Sequence, residues 1–298
     1  MVIIKLQGGL GNQLFQYLAY QRLCEYYDVY FDVGDYNLPY NDGYRKFDLN
    51  SFITLKLKFV LFSDSIKKRL KYNLFFRDIL ILKESVRKKL QYIDLTQFTS
   101  VELSDMSSDL HQIPDNSYIV GWFSRERFIS EWNKMFFYFN PMLLQNNKSV
   151  KDACKTILGC NSVSVHIRRT DYLLEDGNYQ GICTDLYYKN SMDYFREKIE
   201  NPIFYFFSDD INWCKNTFRE KDIRFIDSEF VTYNNSTVED LFLMSCCKHN
   251  ILANSTFSWW GGYFNRNPNK IVLCPPAFSK NAPTSEIFPS EWIRMKNI

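Results

Sequence analysis

The stretch Val163-Ser164-Val165-His166-Ile167-Arg168-Arg169-Thr170-Asp171 governs how the rest of the chain is read. Val163, Val165 and Ile167 alternate with Ser164 and His166, the period of two that marks a β-strand. The strand runs out into two adjacent arginines and then an aspartate. Arginine is always charged, and its planar fork matches phosphate oxygens bidentately. Open α/β sheets bind ligands just beyond the carboxyl ends of their strands. A diphosphate is one occupant such a strand end can hold. A solvated Arg169–Asp171 ion pair is the plainer alternative on charge pattern alone.

The sequence around this stretch alternates between short apolar runs and amphipathic segments. Strands are predicted at 162–167, 203–207, 223–226, 250–253 and 270–273, with helices between them near 185–200, 210–219, 237–247 and 257–265. That order implies a parallel sheet with right-handed crossovers. At the other end of the chain, Val2–Leu6 reads as a strand, Gly8–Gly11 as a glycine turn and Asn12–Tyr26 as a helix, with Asp28–Val33 as a second strand. Further helical segments are expected at 63–72, 78–90 and 126–139, and a short strand at Tyr118–Phe123. Pro141–Ser149 is polar and reads as a linker. The expected organisation is α/β, with two Rossmann-like domains, 1–145 and 146–298, facing a cleft.

A chain of 298 residues suits two such domains, and 46% hydrophobic content supplies their cores. The net charge of +2 argues neither for nor against nucleic acid, and no nucleic-acid partner is expected. Its distribution is uneven, because 56–89 carries eleven basic and three acidic residues. That segment reads either as a solvated helical hairpin or as a peripheral contact with an anionic membrane. The eight cysteines lack C-x-x-C spacing and read as reduced thiols packed like small apolar residues. With no signal-like N-terminus and no apolar run of about 18 residues, a cytoplasmic protein without a transmembrane helix is expected.

His166–Asp171 resembles the H-x-R-R-x-D motif of fucosyltransferases that use GDP-fucose. Gly8-Gly9-Leu10-Gly11-Asn12-Gln13-Leu14-Phe15-Gln16 and Asn254-Ser255-Thr256-Phe257-Ser258-Trp259-Trp260-Gly261 are similar to segments of the bacterial α-1,2-fucosyltransferases, glycosyltransferase family 11. The three matches fall in family order. No motif is recognised from about Ser51 to Ser117. The resemblance implies a GT-B arrangement and inverting transfer of L-fucose from GDP-β-L-fucose to the 2-hydroxyl of a terminal galactose. It also suggests a place in assembling a bacterial surface glycan such as O-antigen, with a galactose-terminated oligosaccharide or lipid-linked glycan as acceptor.

The chemistry distributes roles among the candidates. Without a metal, cationic side chains and helix N-termini must stabilise the leaving diphosphate. No D-x-D motif is present, and Asp209-Asp210 are adjacent rather than spaced, so neither a metal nor another cofactor is expected. Arg168 is the candidate for the β-phosphate, as the resemblance implies, and Arg169 for the second phosphate or for bracing the loop. Ser255 and Thr256 open a predicted helix and can bind phosphate, or simply cap the helix. His166 and Asp209 are candidates for guanine and ribose, with capping by Ser208 or Asp209 as the alternative. Ser236–Glu239 matches a capping box, and Asp240 is a further donor-contact candidate. Asn12, on the glycine loop, is placed by the resemblance near the fucose or β-phosphate. Trp259, Trp260 and Gly261 read as helix–sheet packing. The acceptor hydroxyl's base is sought among Asp171, Glu175 and Asp176. Alternative readings are a fucosyltransferase for another hydroxyl or sugar, and a sugar-binding module without catalysis.

Overall fold

The computed structural model describes residues 1–37, 46–49, 57–60, 99–102, 113, 117–124, 147–173, 177–234, 236–280 and 287–296. The expected helices at 63–72, 78–90 and 126–139, nearly all of the basic 56–89 stretch, and Glu175 and Asp176 lie outside the described residues. The chain divides into two α/β units, one holding the described residues up to Ser124 and the other those from Asn147 onward.

The first unit opens with β1 (Val2–Lys5), α1 (Leu10–Leu23) and β2 (Val29–Asp32). Short strands β3 (Phe59–Val60), β4 (Thr99–Glu102) and β5 (Ser117–Val120) follow. All pairings are parallel, in the order β3-β2-β1-β5-β4. Val2, Ile3 and Ile4 are fully buried, as a central parallel strand covered on both faces requires. The predicted strand at Tyr118–Phe123 begins one residue earlier and ends at Val120.

The second unit comprises α2 (Lys148–Leu158), β6 (Asn161–Ile167), α3 (Asp185–Lys198), β7 (Pro202–Ser208) and α4 (Ile211–Thr217). It continues with β8 (Ile223–Phe225), α5 (Ser236–Cys246), β9 (His249–Ile251), α6 (Thr256–Phe264), β10 (Val272–Cys274) and β11 (Ile293–Arg294). Lys148 and Ser149, expected in the linker, are already helical, because Asn147 caps α2 by accepting the Val150 N–H.

Alternation along the strands divides this unit's core into two layers. Val163, Val165, Ile167, Phe204 and Phe206 pack with Tyr187, Tyr188 and Phe195 of α3. Tyr205 and Phe207 point the other way, onto Val150, Ile157, Leu243 and Met244 of α2 and α5. Trp259 and Trp260 are both fully buried, as the packing reading expects. Gly261 lets α6 lie against α5, since a Cβ there would sit 2.5 Å from the Met244 methyl. The eight cysteines are free thiols, and Cys154 of α2 lies 3.2 Å from Cys246 of α5. No described helix is long and apolar enough to cross a membrane.

The sheet order β11-β10-β9-β6-β7-β8 places the site. From β6 the chain builds outward through β7 and β8, then returns to add β9, β10 and β11 on the other side. The direction reverses between β6 and β9, so the loops leaving these two neighbouring strands diverge. Such a switch point is where doubly wound sheets take their ligands.

Candidate active site at the switch point of the second unit

Residues 168–171 leave β6 on one side of the switch point, and 252–256 leave β9 on the other. Two of the three sequence motifs therefore meet across one crevice, although 82 residues of chain separate Tyr172 from its partner Asn254. The Tyr172 hydroxyl donates to the Asn254 carbonyl at 2.8 Å and ties the loops together. Asn254 donates from its side chain to the carbonyls of Tyr179 (3.2 Å) and Phe278 (2.9 Å). The Tyr172 ring stacks on Tyr179 with centroids 4.8 Å apart. Burial pushes the Tyr172 phenol well above its ordinary range, so it stays a donor.

Arg168 is the centre of the loop. It donates to Asp171 at 2.6 Å, and a second guanidinium nitrogen lies 3.2 Å from Asp209. Burial works against its charge, but the Asp171 hydrogen bond and the nearby Asp209 carboxylate more than offset that and raise its pKa. A guanidinium has five N–H donors. Two contacts fix its plane, and three donors remain to meet an anion.

The two arginines diverge, as neighbours at a strand end should. The Arg169 guanidinium lies 4.0 Å from the centroid of the Trp213 ring and donates to Asp210 at 3.3 Å. Arg169 therefore braces the loop against α4, the second of its two expected roles. The alternative Arg169–Asp171 pair is not formed: Asp171 holds Arg168, while Asp210 and Trp213 engage Arg169.

Asp209 sits at the carboxyl end of β7 but faces the arginine loop. Its Oδ1 accepts the Arg169 N–H at 2.9 Å, and its Oδ2 accepts from the Thr170 N–H (3.1 Å) and hydroxyl (2.6 Å). Both oxygens thus shape the loop that follows β6, which makes Asp209 a positioning residue. Capping of α4 falls to neither Ser208 nor Asp209. Asp210 accepts the Trp213 N–H, while Ser208 accepts the Asp210 N–H.

His166 is buried at the penultimate position of β6, its ring centroid 5.3 Å from that of Phe257. Burial pushes its imidazole down to about 4; Asp209 opposes the fall and Arg168 adds to it. It is neutral near pH 7, and its buried Nδ1 has no hydrogen-bond partner. A buried unpaired nitrogen is costly unless something pairs with it.

Ser255 stands at the N-cap of α6, but its hydroxyl makes no capping bond. Ordinary capping therefore does not account for it. The α6 N-terminus, with its dipole, points into the crevice from the β9 side.

Helix α5 runs antiparallel to the strands, so its N-terminus lies at the same sheet edge. Glu239 does not close a capping box with Ser236, because the helix begins at Ser236 itself. It reaches back to the Asn234 N–H (2.8 Å) and accepts from the Asn147 side chain (3.0 Å). Asp240 accepts from the Tyr233 hydroxyl. Burial raises its carboxyl to about 7, with the Tyr233 hydrogen bond opposing the rise and Glu239 adding to it. Asn12 belongs to the first unit, where its backbone N–H donates to the Gly9 carbonyl at 3.0 Å.

The chain matches Glycosyl transferase family 11 over residues 1–296 and belongs to that family. Among its relatives is the alpha-1,2-colitosyltransferase of Escherichia coli, 32% identical, with 99% of each chain covered. The O-antigen biosynthesis glycosyltransferase WbnK of Escherichia coli is 29% identical, with 97% of this chain and 99% of that protein covered. Human galactoside alpha-(1,2)-fucosyltransferase 1 is 33% identical over 106 residues, 34% of this chain and 28% of that protein. The protein is thus a family 11 glycosyltransferase, with an α-1,2-colitosyltransferase and α-1,2-fucosyltransferases among its relatives.

Proposed function

We propose that the protein transfers L-fucose from GDP-β-L-fucose to the 2-hydroxyl of a terminal galactose, with inversion and without a metal, to give an α-1,2 linkage. The reading rests on Arg168, whose guanidinium is fixed by Asp171 and Asp209 at the β6–β9 switch point with three N–H donors to spare. GDP lies across this point, its diphosphate between Arg168 and the α6 N-terminus with Ser255 and Thr256. His166 and Asp240 take the nucleoside end.

The bond between fucose C1 and the β-phosphate oxygen breaks as the galactose O2 attacks the opposite face of C1. The electron pair leaves with GDP, where Arg168 and the helix dipole stabilise it. The hydroxyl proton passes to a carboxylate, for which Asp171 and Glu175 are the candidates. The product suits assembly of a bacterial surface glycan such as O-antigen at the cytoplasmic face of the membrane, with the basic 56–89 segment touching anionic lipid.

A second donor has a specific basis. The colitosyltransferase relative matches over the full length, and colitose is fucose without its 3-hydroxyl. Incubating the purified chain with GDP-fucose or GDP-colitose and a panel of galactosides, with linkage read by NMR, tests both. An α-1,2 fucosyl product supports the first reading, a colitosyl product only supports the second, and no transfer from either donor overturns both.

A further inference from the structure

The first unit has a switch point of its own, which the donor chemistry above does not use. β1 is flanked by β2 on one side and β5 on the other, so the loops after β1 and β5 diverge. Two fully buried glutamines on one face of α1 fix those loops. Gln13 donates to the carbonyls of Gly8 (3.1 Å) and Lys46 (2.6 Å) and accepts the Asp48 N–H (3.0 Å). Gln16 accepts the Gln7 N–H (3.0 Å) and donates to the Gly121 carbonyl (3.3 Å). Buried amides are tolerated only when they are paired. Here their pairing stitches the loops after β1, β2 and β5 into one rigid rim.

Trp122 stands on that rim with 51% of its surface exposed, while Phe123 beside it is 5% exposed. Phe123 has φ 54°, a left-handed backbone that a bulky side chain rarely adopts. Strain of this kind concentrates at functional sites. The turn carries Phe123 into the core and leaves the neighbouring indole outside. Gly8, at φ 80°, makes room for that indole: a Cβ there would lie 3.1 Å from the Trp122 ring and 2.5 Å from the Asn12 amide nitrogen. The Tyr36 hydroxyl reaches the same loop, donating to the Gly8 carbonyl at 2.7 Å. Among the other described tryptophans, Trp259, Trp260 and Trp292 are buried and Trp213 carries the Arg169 guanidinium.

An open indole, rigidly held beside amide and hydroxyl groups, complements a hexopyranose. The ring's C–H face packs on the π-surface while its hydroxyls bond to polar neighbours. Galactose carries its C3, C4 and C5 hydrogens on one face and fits this description. We propose that Trp122, with the Gly8–Asn12 loop, is the platform for the acceptor's terminal hexose. The assignment to the acceptor rests on the glycosyl-transfer reading, but the binding itself needs no donor.

The test is an NMR titration of the full chain, labelled with ¹⁵N-tryptophan, with methyl β-galactoside in the absence of GDP. The Trp122 indole signal is the one missing from Trp122→Phe. We expect it to shift saturably, Trp122→Ala to weaken sugar binding about tenfold or more, and Trp122→Tyr to retain most of it. GDP binding should be unchanged in all three variants. A Trp122 signal unmoved at the highest soluble sugar concentration, or unweakened binding in Trp122→Ala, overturns the platform. A wild-type protein that shifts Trp122 with galactoside yet transfers no sugar leaves the platform standing and removes the donor reading.

Discussion

Arg168 donates to Asp171 at 2.6 Å, and this single contact separates two arginines that are neighbours in sequence. It holds one guanidinium between Asp171 and Asp209, while the other lies 4.0 Å from the centroid of the Trp213 ring. Arg168→Lys should lower kcat by about 10²–10³, the usual cost of losing an oxyanion-stabilising donor. An ammonium cannot meet Asp171, Asp209 and a phosphate with a planar fork. Arg169→Lys should instead cost about 0.5–1 kcal/mol of stability through the lost ring contact, with a much smaller fall in kcat. Steady-state rates and urea unfolding of both variants check the contrast; equal kcat losses would refute it.

Tyr172 is the latch between the two motif loops. Tyr172→Phe removes the hydroxyl that donates to the Asn254 carbonyl, on a residue that is 2% exposed. Stranding a buried acceptor costs about 1–3 kcal/mol. Stability should fall by that amount, and GDP affinity should fall with it, because the crevice loses its fixed width. Calorimetric titration with GDP is the measurement, and unchanged affinity would detach the latch from the site.

Much of this site is legible before any coordinates, and what is not has a physical reason. β6, β7, α3 and α6 fall within two residues of their predicted bounds, because buried parallel strands are short apolar runs and the helices between them are amphipathic. β11 escapes detection: Ile293 and Arg294 form a two-residue edge strand, exposed on both residues. Gln13 and Gln16 look like the polar face of α1, yet both are fully buried. Their meaning lies in partners such as Gly121, 105 residues away. Asp209 illustrates the same limit. Its place at a strand end was readable, but a sequence does not tell a carboxylate that meets a ligand from one that holds the loop 40 residues before it.

His166 should give stability a recognisable pH dependence. Its folded pKa is about 4, against 6.5 when unperturbed. Protonation therefore favours the unfolded chain. The stabilisation is complete above about pH 6.5 and drains away as pH falls toward 4. His166→Gln, neutral throughout, should show a shallower loss across that window in urea midpoints measured from pH 7 to 4. Parallel curves for the two proteins would show that the imidazole does not titrate as its burial demands.

Asp240 behaves in the opposite sense, and this separates structure from function at one residue. Its carboxyl is raised to about 7 from 3.8, with burial the chief cause. The fold thus prefers the protonated form, so the contribution to stability is complete below pH 3.8 and lost as pH rises through 7. Asp240→Asn keeps an acceptor for the Tyr233 hydroxyl and never ionises. It should therefore be more stable than the parent at pH 8, with the advantage shrinking toward pH 5. A group retained against stability at working pH needs another reason to be there. If that reason is a contact to the nucleoside, Asp240→Asn should lose about 1.5–3 kcal/mol of GDP binding, the range for a hydrogen bond to a charged group. Thermal melts at two pH values and GDP titration, made on the same protein, read the two effects independently. Gain of stability with full GDP affinity would make Asp240 a residue of α5 packing alone.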